Sequence, residues 1–186
     1  MHEESPILLH VCCAPCSTAS VERLREQGHD VVLFFSNSNI YPAEEYRGRL
    51  AETRRLAGVM HLDLVEDAYD HEAWLAHVRG LENEPERGQR CLKCFEYNLN
   101  RAALAMQRLG LSSFTTTLTV SRHKSSRDVF AIGRGFGGFL EIDFKKRDGY
   151  ARSTELSRQL ELYRQGYCGF EFSLAHAFQT RRQTPL

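Results

Sequence analysis

LLHVCCAPCS, residues 8–17, ends an apolar run with three cysteines placed in five positions. The run itself, PILLHVCC at residues 6–13, is continuously apolar, as in a strand that is buried on both faces. The residues after it predict a helix that Ser17 or Thr18 caps and Gly28 ends. This stretch therefore predicts a buried strand that turns into a helix, with the cysteines at the turn.

The same alternation of strand and helix continues along the chain. Further strands are predicted in DVVLFFSN (30–37), HLDLVED (61–67), SSFTTTLTVS (112–121) and FLEIDF (139–144). Further helices are predicted in PAEEYRGRLAETRRLAG (42–58), DHEAWLAHVRGL (70–81), CLKCFEYNLNRAALAMQRLG (91–110), SSRDVFAIGRG (125–135) and ARSTELSRQLELYRQG (151–166), with a polar loop at 82–90. Buried strands that alternate with helices predict an α/β fold, in which helices flank a mostly parallel sheet in a single domain over residues 1–186.

The composition limits the classes of function. The chain carries 24 basic and 24 acidic side chains, so no global field predicts nucleic-acid or membrane binding, although a local basic patch is compatible with it. No apolar stretch has the length of a membrane span, and acids stand in residues 1–13 where a signal peptide carries positive charge. We therefore expect a cytoplasmic protein with no membrane partner, whose cysteines are reduced. In that compartment a cysteine cluster is more often metal-binding or catalytic than a disulfide framework.

Three polar segments follow predicted strands. The cysteines at 12–16 follow the first strand, SNSNIYP (36–42) follows the second, and TVSRHKSS (119–126) follows a later one. Ligands of parallel sheets bind outside the carboxyl ends of the strands. We therefore expect these segments to meet at one edge of the sheet and form the functional site.

A second pair of cysteines, Cys91 and Cys94, forms a C-x-x-C motif at the start of a predicted helix. This spacing lets two sulfurs bind one metal or cluster, and it also serves thiol–disulfide exchange. With Cys12, Cys13 and Cys16 it predicts a metal site built from the loop after the first strand and the segment 88–95. Adjacent cysteines suit a single zinc poorly because their side chains diverge, whereas they can reach different irons of a cluster. Iron–sulfur is favoured; a zinc-stabilised nucleic-acid-binding module and a thiol–disulfide oxidoreductase using Cys91 and Cys94 are the alternatives.

Several other residues allow more than one interpretation. Asp143 ends the last predicted strand on the cysteine-bearing edge, where it could be a ligand, a base or a cap. Cys168 could be a small buried residue, a ligand or a redox thiol, and the glycine beside it would let the backbone approach closely. A basic run around Tyr150 is typical of a solvated loop or of a phosphate-binding patch; it contains Lys145, Lys146, Arg147 and Arg152.

Two further features favour a purely structural role. His10 lies inside the first predicted strand and is interpreted as a hydrogen-bonded core histidine. GRGFGG (133–138) matches a dinucleotide-binding pattern, but it follows a predicted helix and precedes a strand, so a turn is favoured.

Five segments in this order carry a resemblance to a known family: LLHVCCAPCS (8–17), FFSNSNIYPAEEYRGRLAETRRLA (34–57), RCLKCFEYNLNRAA (90–103), FTTTLTVSRHKS (114–125) and DFKKRDGYARSTELSRQLELYRQGYCGF (143–170). From residue 7 to about residue 174 the chain resembles the cobalamin-independent epoxyqueuosine reductases of the QueH type. The resemblance implies a nucleotide-hydrolase-like (HUP) layered fold. It also implies removal of the epoxide oxygen from epoxyqueuosine at the wobble position of tRNA, which gives queuosine.

The resemblance further implies a 4Fe-4S cluster on Cys12, Cys13, Cys91 and Cys94, and a second, mononuclear iron. Cys16 stands where the family carries Cys or Asp, so we assign it to that second iron. The family commonly ends this motif Tyr-Cys-Gly-Cys, whereas this chain reads Tyr167-Cys168-Gly169-Phe170. A redox pair between those two cysteines is therefore not available here.

Removing an epoxide oxygen needs two electrons and an oxygen acceptor, which a low-potential cluster and a Lewis-acidic iron can supply. We expect Cys16, Asp143 and His123 to be catalytic. The predicted tRNA contacts are Lys124, Lys145, Lys146 and Arg152, and the candidates for stacking on an unpaired base of the anticodon loop are Tyr41, Tyr150 and Tyr163. The electron donor is a further, unidentified partner.

Overall fold

The structure, a computed structural model, describes residues 5–172. The first four residues of the N-terminal segment and residues 173–174 at the end of the resemblance lie outside this range. Four strands form one parallel sheet in the order β3-β2-β1-β4. They are β1 (Ile7–Val11), β2 (Val31–Phe35), β3 (Asp63–Glu66) and β4 (Ser113–Thr116). The prediction of a mostly parallel α/β sheet is confirmed.

Six α-helices flank this sheet in the described part of the chain, and a 3-10 turn at Thr117–Val120 continues β4. The helices are α1 (Ala14–Glu26), α2 (Ala43–Met60), α3 (His71–His77), α4 (Gln89–Arg108), α5 (Ser126–Gly133) and α6 (Gly149–Gln159). Within residues 5–172 we find no helix whose length and apolar character would carry it across a bilayer.

The central strand β1 explains the apolar run of the sequence, because helices cover the sheet on both faces. Leu9 and Val11 pack on one face with Leu24 of α1. Leu8 points to the other face, where it packs with Phe114 and residues of α4. Every residue of β1 is buried, so alternation between apolar and polar positions is absent here.

His10 joins three strands at the edge where the site lies. Its Nε2 is 3.0 Å from the carbonyl oxygen of Ser36, and its Nδ1 is 2.9 Å from Oγ1 of Thr116. Because a carbonyl oxygen only accepts hydrogen bonds, Nε2 carries the ring proton and donates to Ser36. Nδ1 therefore accepts a hydrogen bond from the Thr116 hydroxyl. Complete burial lowers the pKa of His10, so the ring is neutral. The interpretation of His10 as a core histidine is confirmed.

Two local predictions were wrong. FLEIDF is not a strand: within it only Phe139 forms an isolated bridge, to Phe114, and the rest is irregular chain. Ser17 and Thr18 do not cap α1, because the helix already begins at Ala14 after Cys13. Pro15 in the first turn favours this earlier start, and both hydroxyls instead donate to carbonyl oxygens one turn back.

Candidate functional site

The carboxyl edge of the sheet opens into a cavity of about 370 Å³. All six cysteines of the chain line it, and all six are free thiols: Cys12, Cys13, Cys16, Cys91, Cys94 and Cys168. The segments 36–42 and 119–126 reach the same cavity. The predicted convergence of these segments at one edge is therefore confirmed, and the volume suits a small-molecule-sized group.

The first three sulfurs form a compact group at the turn from β1 to α1. The Sγ atoms of Cys12, Cys13 and Cys16 all lie within 4.8 Å of one another. Cys13 is the extended residue before the first turn of α1, and Cys16 is in that turn. Thr117 fixes the group from the neighbouring segment, since its Oγ1 accepts from the Cys12 backbone N–H at 3.0 Å and donates to the Cys12 Sγ at 3.2 Å.

These three thiols share negative charge unequally. Hydrogen bonds from Cys12 and Cys16 hold the pKa of Cys13 well below its ordinary value. The same contacts raise the pKa of Cys16 well above its ordinary value, and the contact with Cys13 raises that of Cys12. The group thus favours one thiolate, and a bound cation is needed to ionise all three. Three soft sulfur donors at this spacing are compatible with a metal or a cluster.

Cys91 and Cys94 lie in the first two turns of α4. The Arg87 backbone N–H donates to the Cys91 Sγ at 3.2 Å, and the Asn98 side chain donates to the Cys94 Sγ at 3.7 Å. Burial raises the pKa of the Cys94 thiol to about 12. Cys94 therefore ionises near neutral pH only if a cation binds beside it.

A buried donor next to Cys94 supports a charged sulfur there. Trp74 packs against Cys94 in a small core cluster, and its indole is completely buried. Its Nε1–H finds no hydrogen-bond acceptor at normal distance within residues 5–172. A thiolate at Cys94 would provide that acceptor, so this orphaned donor fits a metal-bound cysteine.

Lys124 brings positive charge to the cysteine-lined cavity. Burial disfavours its charged form, but the negative charge that Cys168, Cys12 and Cys16 carry when ionised outweighs this effect and raises the pKa of Lys124. The side chain is therefore protonated at neutral pH. His123 also lines the cavity, and its role as a proton donor stays a prediction.

Four predicted site residues do not line the cavity: Asp143, Lys145, Lys146 and Arg152. Asp143 Oδ1 accepts from the Ser126 hydroxyl at 2.9 Å and from the Lys145 backbone N–H at 3.1 Å, so it caps a turn. Arg152 forms ion pairs with Glu22 at 2.6 Å and Glu155 at 2.9 Å. Of the three roles considered for Asp143, the structure shows the cap, and its catalytic role stays a prediction.

The structure adds two wall residues that the sequence reasoning missed. Arg49 of α2 is only 3% exposed; it pairs with Glu45 at 2.7 Å and donates to the Cys168 carbonyl oxygen at 3.2 Å. Asn98 of α4 is buried beside Cys94. The sequence contained a sign of both residues, because each is a polar residue on the apolar, buried face of its helix.

The segment around Cys168 passes very close to its neighbours. Gly169 has φ +138°, and its carbonyl oxygen accepts from the Tyr41 backbone N–H at 2.6 Å. A Cβ on Gly169 would lie 3.3 Å from both Arg49 Nη1 and a side-chain carbon of Ile40, which confirms the close backbone approach. Phe170 is buried and stacks on Trp74 with ring centroids 5.8 Å apart. Phe170 thus occupies the position where the family commonly has a second cysteine, and it packs in the core. Cys168 therefore has no second cysteine beside it in this segment.

Comparisons with known proteins agree with this site. A family profile described as "Epoxyqueuosine reductase QueH" matches residues 7–176. A relative of that name from Streptococcus pyogenes is 40% identical, with 88% of this chain and 68% of the relative covered. The relative from Acinetobacter baylyi is 37% identical (90% and 80% covered), and that from Thermotoga maritima is 33% identical (90% of each). The chain that builds this cysteine-lined cavity belongs to the QueH family of epoxyqueuosine reductases.

Proposed function

We propose that this protein removes the epoxide oxygen of epoxyqueuosine in tRNA, using an iron–sulfur cluster and a neighbouring iron. One observation carries the proposal beyond family membership. Cysteines from three separate segments, 12–16, 91–94 and 168, line one cavity at the carboxyl edge of a parallel sheet. Packing alone does not explain six free thiols in one cavity, whereas a thiolate-bound redox centre needs several of them.

The reaction has a simple balance. Two electrons and two protons convert the epoxide into an alkene and water, with both carbon–oxygen bonds broken. An external electron donor supplies the electrons. A cluster held by the cysteines would supply electrons one at a time, and an iron held beside it would supply Lewis acidity for the oxygen that leaves.

The residues fit such groups in two respects. The sulfurs of Cys12, Cys13 and Cys16 already lie within 4.8 Å of one another, so this turn needs little rearrangement to bind metal. The orphaned Trp74 donor lies beside Cys94 in the second segment. We assign Cys12, Cys13, Cys91 and Cys94 to the cluster and Cys16 to the second iron. This division of the thiols stays a prediction.

The remaining wall residues bind and protonate the substrate. Lys124 is protonated and lies among the thiols, so its Nζ can balance their charge and hold a proton for the oxygen that leaves. His123, on the same loop and lining the same cavity, is the proposed second proton donor. An unpaired wobble nucleotide can be splayed out of the anticodon loop and inserted into a cavity of this size.

Contacts to tRNA outside the cavity are proposed for Lys145, Lys146 and Arg152. Neutralising all three should weaken tRNA binding and flatten its salt dependence, with the metal content unchanged. Since carboxylates already bind Arg152, we expect the two lysines to account for most of the effect. Unchanged binding across several salt concentrations would assign this run to a solvated surface.

One experiment tests the function against its alternatives. The protein is purified without oxygen, its absorption spectrum, iron and sulfide are measured, and it is incubated with epoxyqueuosine tRNA and a chemical reductant. We expect a brown protein and conversion to queuosine, detected by mass spectrometry of the digested tRNA. A colourless, zinc-loaded protein without turnover would support a nucleic-acid-binding module. A metal-free protein whose only activity is disulfide exchange through Cys91 and Cys94 would support a thiol oxidoreductase.

A further inference from the structure

A second depression adjoins the cysteine-lined cavity. It is an open groove of about 530 Å³ along α6, and Ala151, Glu155 and Arg158 contribute to its lining. Tyr150 lines both the groove and the cavity, and Arg122, which lines the groove, lies directly beside its ring. The two depressions therefore meet at the Tyr150 side chain, and a chain that enters the cavity from this side passes along the groove.

Tyr150 is held rigidly at this junction. It follows Gly149, where a Cβ would lie 1.8 Å from the Phe144 carbonyl oxygen, so the start of α6 packs tightly on the preceding turn. The Arg122 guanidinium carbon lies 4.1 Å from the centre of the Tyr150 ring, and that of Arg164 lies 5.2 Å from it. Of the three tyrosines considered for base stacking, only Tyr150 lines the cavity.

The arginines at this junction carry uncompensated charge. Arg122, Arg158 and Arg164 are exposed, and none of them forms an ion pair with another described residue. Among the described residues that line the groove the one acid is Glu155, and Arg152 already binds it at 2.9 Å. Two guanidinium groups that share one ring repel each other, so an anion placed between them would be stabilised.

The situation differs elsewhere on the surface. Arg54 binds Glu66 through two nitrogens, at 2.7 and 2.6 Å, and Arg134 binds Glu141 in the same way, at 2.7 and 2.8 Å. These two arginines are as exposed as those at the groove, but their charge is neutralised within the protein.

We propose that this groove is a subsite for the RNA nucleotide that adjoins the modified one. Arg122 and Arg158 contact its phosphate oxygens, and the Tyr150–Arg122 pair offers flat surfaces on which its base stacks. The inference rests on the proposed function, since the modified nucleotide must occupy the cavity for its neighbour to reach the groove. Exposed arginines, flat aromatic surface and continuity with the cavity suit single-stranded RNA.

The test compares two double variants of equal charge change. Arg122→Gln/Arg158→Gln alters the groove, and Arg54→Gln/Arg134→Gln is the matched control. Binding of an epoxyqueuosine-containing anticodon stem-loop to the metal-loaded protein is measured from low to high salt. We expect the groove variant to raise Kd about tenfold near 0.1 M salt and to reduce the salt slope by roughly 1.4, the value for two lost contacts to single-stranded phosphate. The control should stay within about twofold, and iron and sulfide should match wild type in both.

A shorter substrate distinguishes the groove from a general charge effect. The epoxyqueuosine nucleoside lacks neighbours, so the groove variant should bind it as the wild type does. A trinucleotide with the modified nucleotide in the centre should bind the wild type more tightly than the nucleoside does. The groove variant should lose this gain in affinity, which comes from the flanking nucleotides. An equal loss in the control variant, an equal loss with the nucleoside, or no loss with the stem-loop would overturn the proposal. An acidic peptide that competes as well as RNA of equal charge would overturn the assignment to RNA.

The two proposals fail in different ways. If the wild type binds the stem-loop in an Arg122-dependent manner but never converts it, the groove stands and the proposed chemistry fails. If the groove variant converts tRNA with wild-type kcat and KM, the proposed RNA subsite is wrong and the proposed reductase activity is supported.

Discussion

The two cysteine-bearing segments of the site are built in different ways. Cys12, Cys13 and Cys16 continue a central strand that is buried throughout and paired on both sides. Cys91 and Cys94 follow an irregular connection that runs from the end of α3 to Gly88 at the start of α4. The first segment is fixed by the sheet itself, and the second depends on where one helix begins.

The start of that helix relies on few contacts. Glu84 accepts from the Gln89 backbone N–H at 2.9 Å, and Arg87 adopts φ +70° before Gly88. Arg90 anchors the connection from inside: it is 1% exposed and donates to the Glu82 carbonyl oxygen at 2.6 Å. The position of Cys91 and Cys94 thus depends on a small number of polar contacts.

In such a metal site the thiols after β1 are already in place, whereas the position of the pair on α4 can adjust. We expect metal to bind first at the sheet-anchored thiols, where three sulfurs are already close, and the helix-borne pair to complete the coordination. The following predictions test this difference, beginning with the largest expected effect.

Loss of any cluster ligand should remove the metal centre. Cys12→Ser, Cys13→Ser, Cys91→Ser and Cys94→Ser should each lose most of the bound iron and sulfide and more than about 100-fold of the activity, because serine binds iron poorly. Metal analysis of the anaerobically purified variants and turnover of epoxyqueuosine tRNA measure this. Ser17→Ala is the matched control, since Ser17 lies in the same turn and donates only to the Cys13 carbonyl oxygen. Four variants with full iron and sulfide would refute the ligand assignment.

Cys16 should separate the two metal groups. Cys16→Ala should keep most of the cluster spectrum but lose about 100-fold or more in turnover, because it removes the proposed ligand of the second iron. Cys16→Asp should recover part of the activity, since a carboxylate also binds iron. Mass spectrometry of tRNA digests measures turnover, and absorption measures the cluster. Full turnover by Cys16→Ala would show that the second iron does not use this thiol.

Much of this arrangement could be predicted from the sequence. Parallel strands end at one edge, so cysteines after the first strand and polar residues after its neighbours had to meet there. The C-x-x-C motif predicted a second pair of cysteines at the start of a helix, and Cys91 and Cys94 lie in the first two turns of α4. Both predictions depend on local pattern and on one topological rule.

Other features could not be predicted, for identifiable reasons. FLEIDF has the composition of a strand, but a strand needs a partner over several residues, and here only Phe139 has one. Asp143 was placed at the sheet edge on the assumption of that strand, so its predicted place in the site depended on the same error. Arg49 could have been found from its place on the apolar face of α2, but it was overlooked because an arginine is ordinarily exposed, and its ion pair with Glu45 explains its burial.

Arg90 should stabilise the segment that carries Cys91 and Cys94, although it is not a metal ligand itself. Its guanidinium lies 4.8 Å from the centre of the Phe170 ring and holds the carbonyl oxygens of residues 81 and 82. Arg90→Met should lower the free energy of unfolding by about 2 kcal/mol, because it removes a charged donor that holds two backbone carbonyl groups of the connection. Urea denaturation measures this, and a chelator should remove iron faster from the variant.

The matched control is Lys93→Met, a change of the same charge one turn along α4. Lys93 is about half exposed and pairs with Glu96 at 2.7 Å, so its loss should change stability by less than about 0.5 kcal/mol. Equal stability and equal iron release in Arg90→Met and Lys93→Met would contradict the anchoring role of Arg90.

The smallest expected effect concerns the ion pair that ties α4 to the sheet. Asp67, just after β3, binds Arg101 of α4 and accepts from the Ser36 hydroxyl at 2.6 Å. Burial opposes its ionisation, but the hydrogen bonds from Arg101 and Ser36 outweigh burial and lower the pKa of Asp67. A carboxyl whose pKa is lower in the folded than in the unfolded state stabilises the fold above its unfolded pKa, and that contribution is lost as pH falls through the folded pKa.

Asp67→Asn should therefore reduce the free energy of unfolding by about 1 kcal/mol at neutral pH and flatten the loss of stability below about pH 4. Thermal unfolding from about pH 7 to about pH 2, which passes below the ordinary pKa of an aspartic acid, measures both effects. Asp63→Asn, at an exposed position of β3, should change neither. If the Asp67→Asn curve runs parallel to that of the wild type through the acid range, the Asp67–Arg101 pair does not hold α4, and the helix-borne cysteines are positioned by the connection before Gly88 alone.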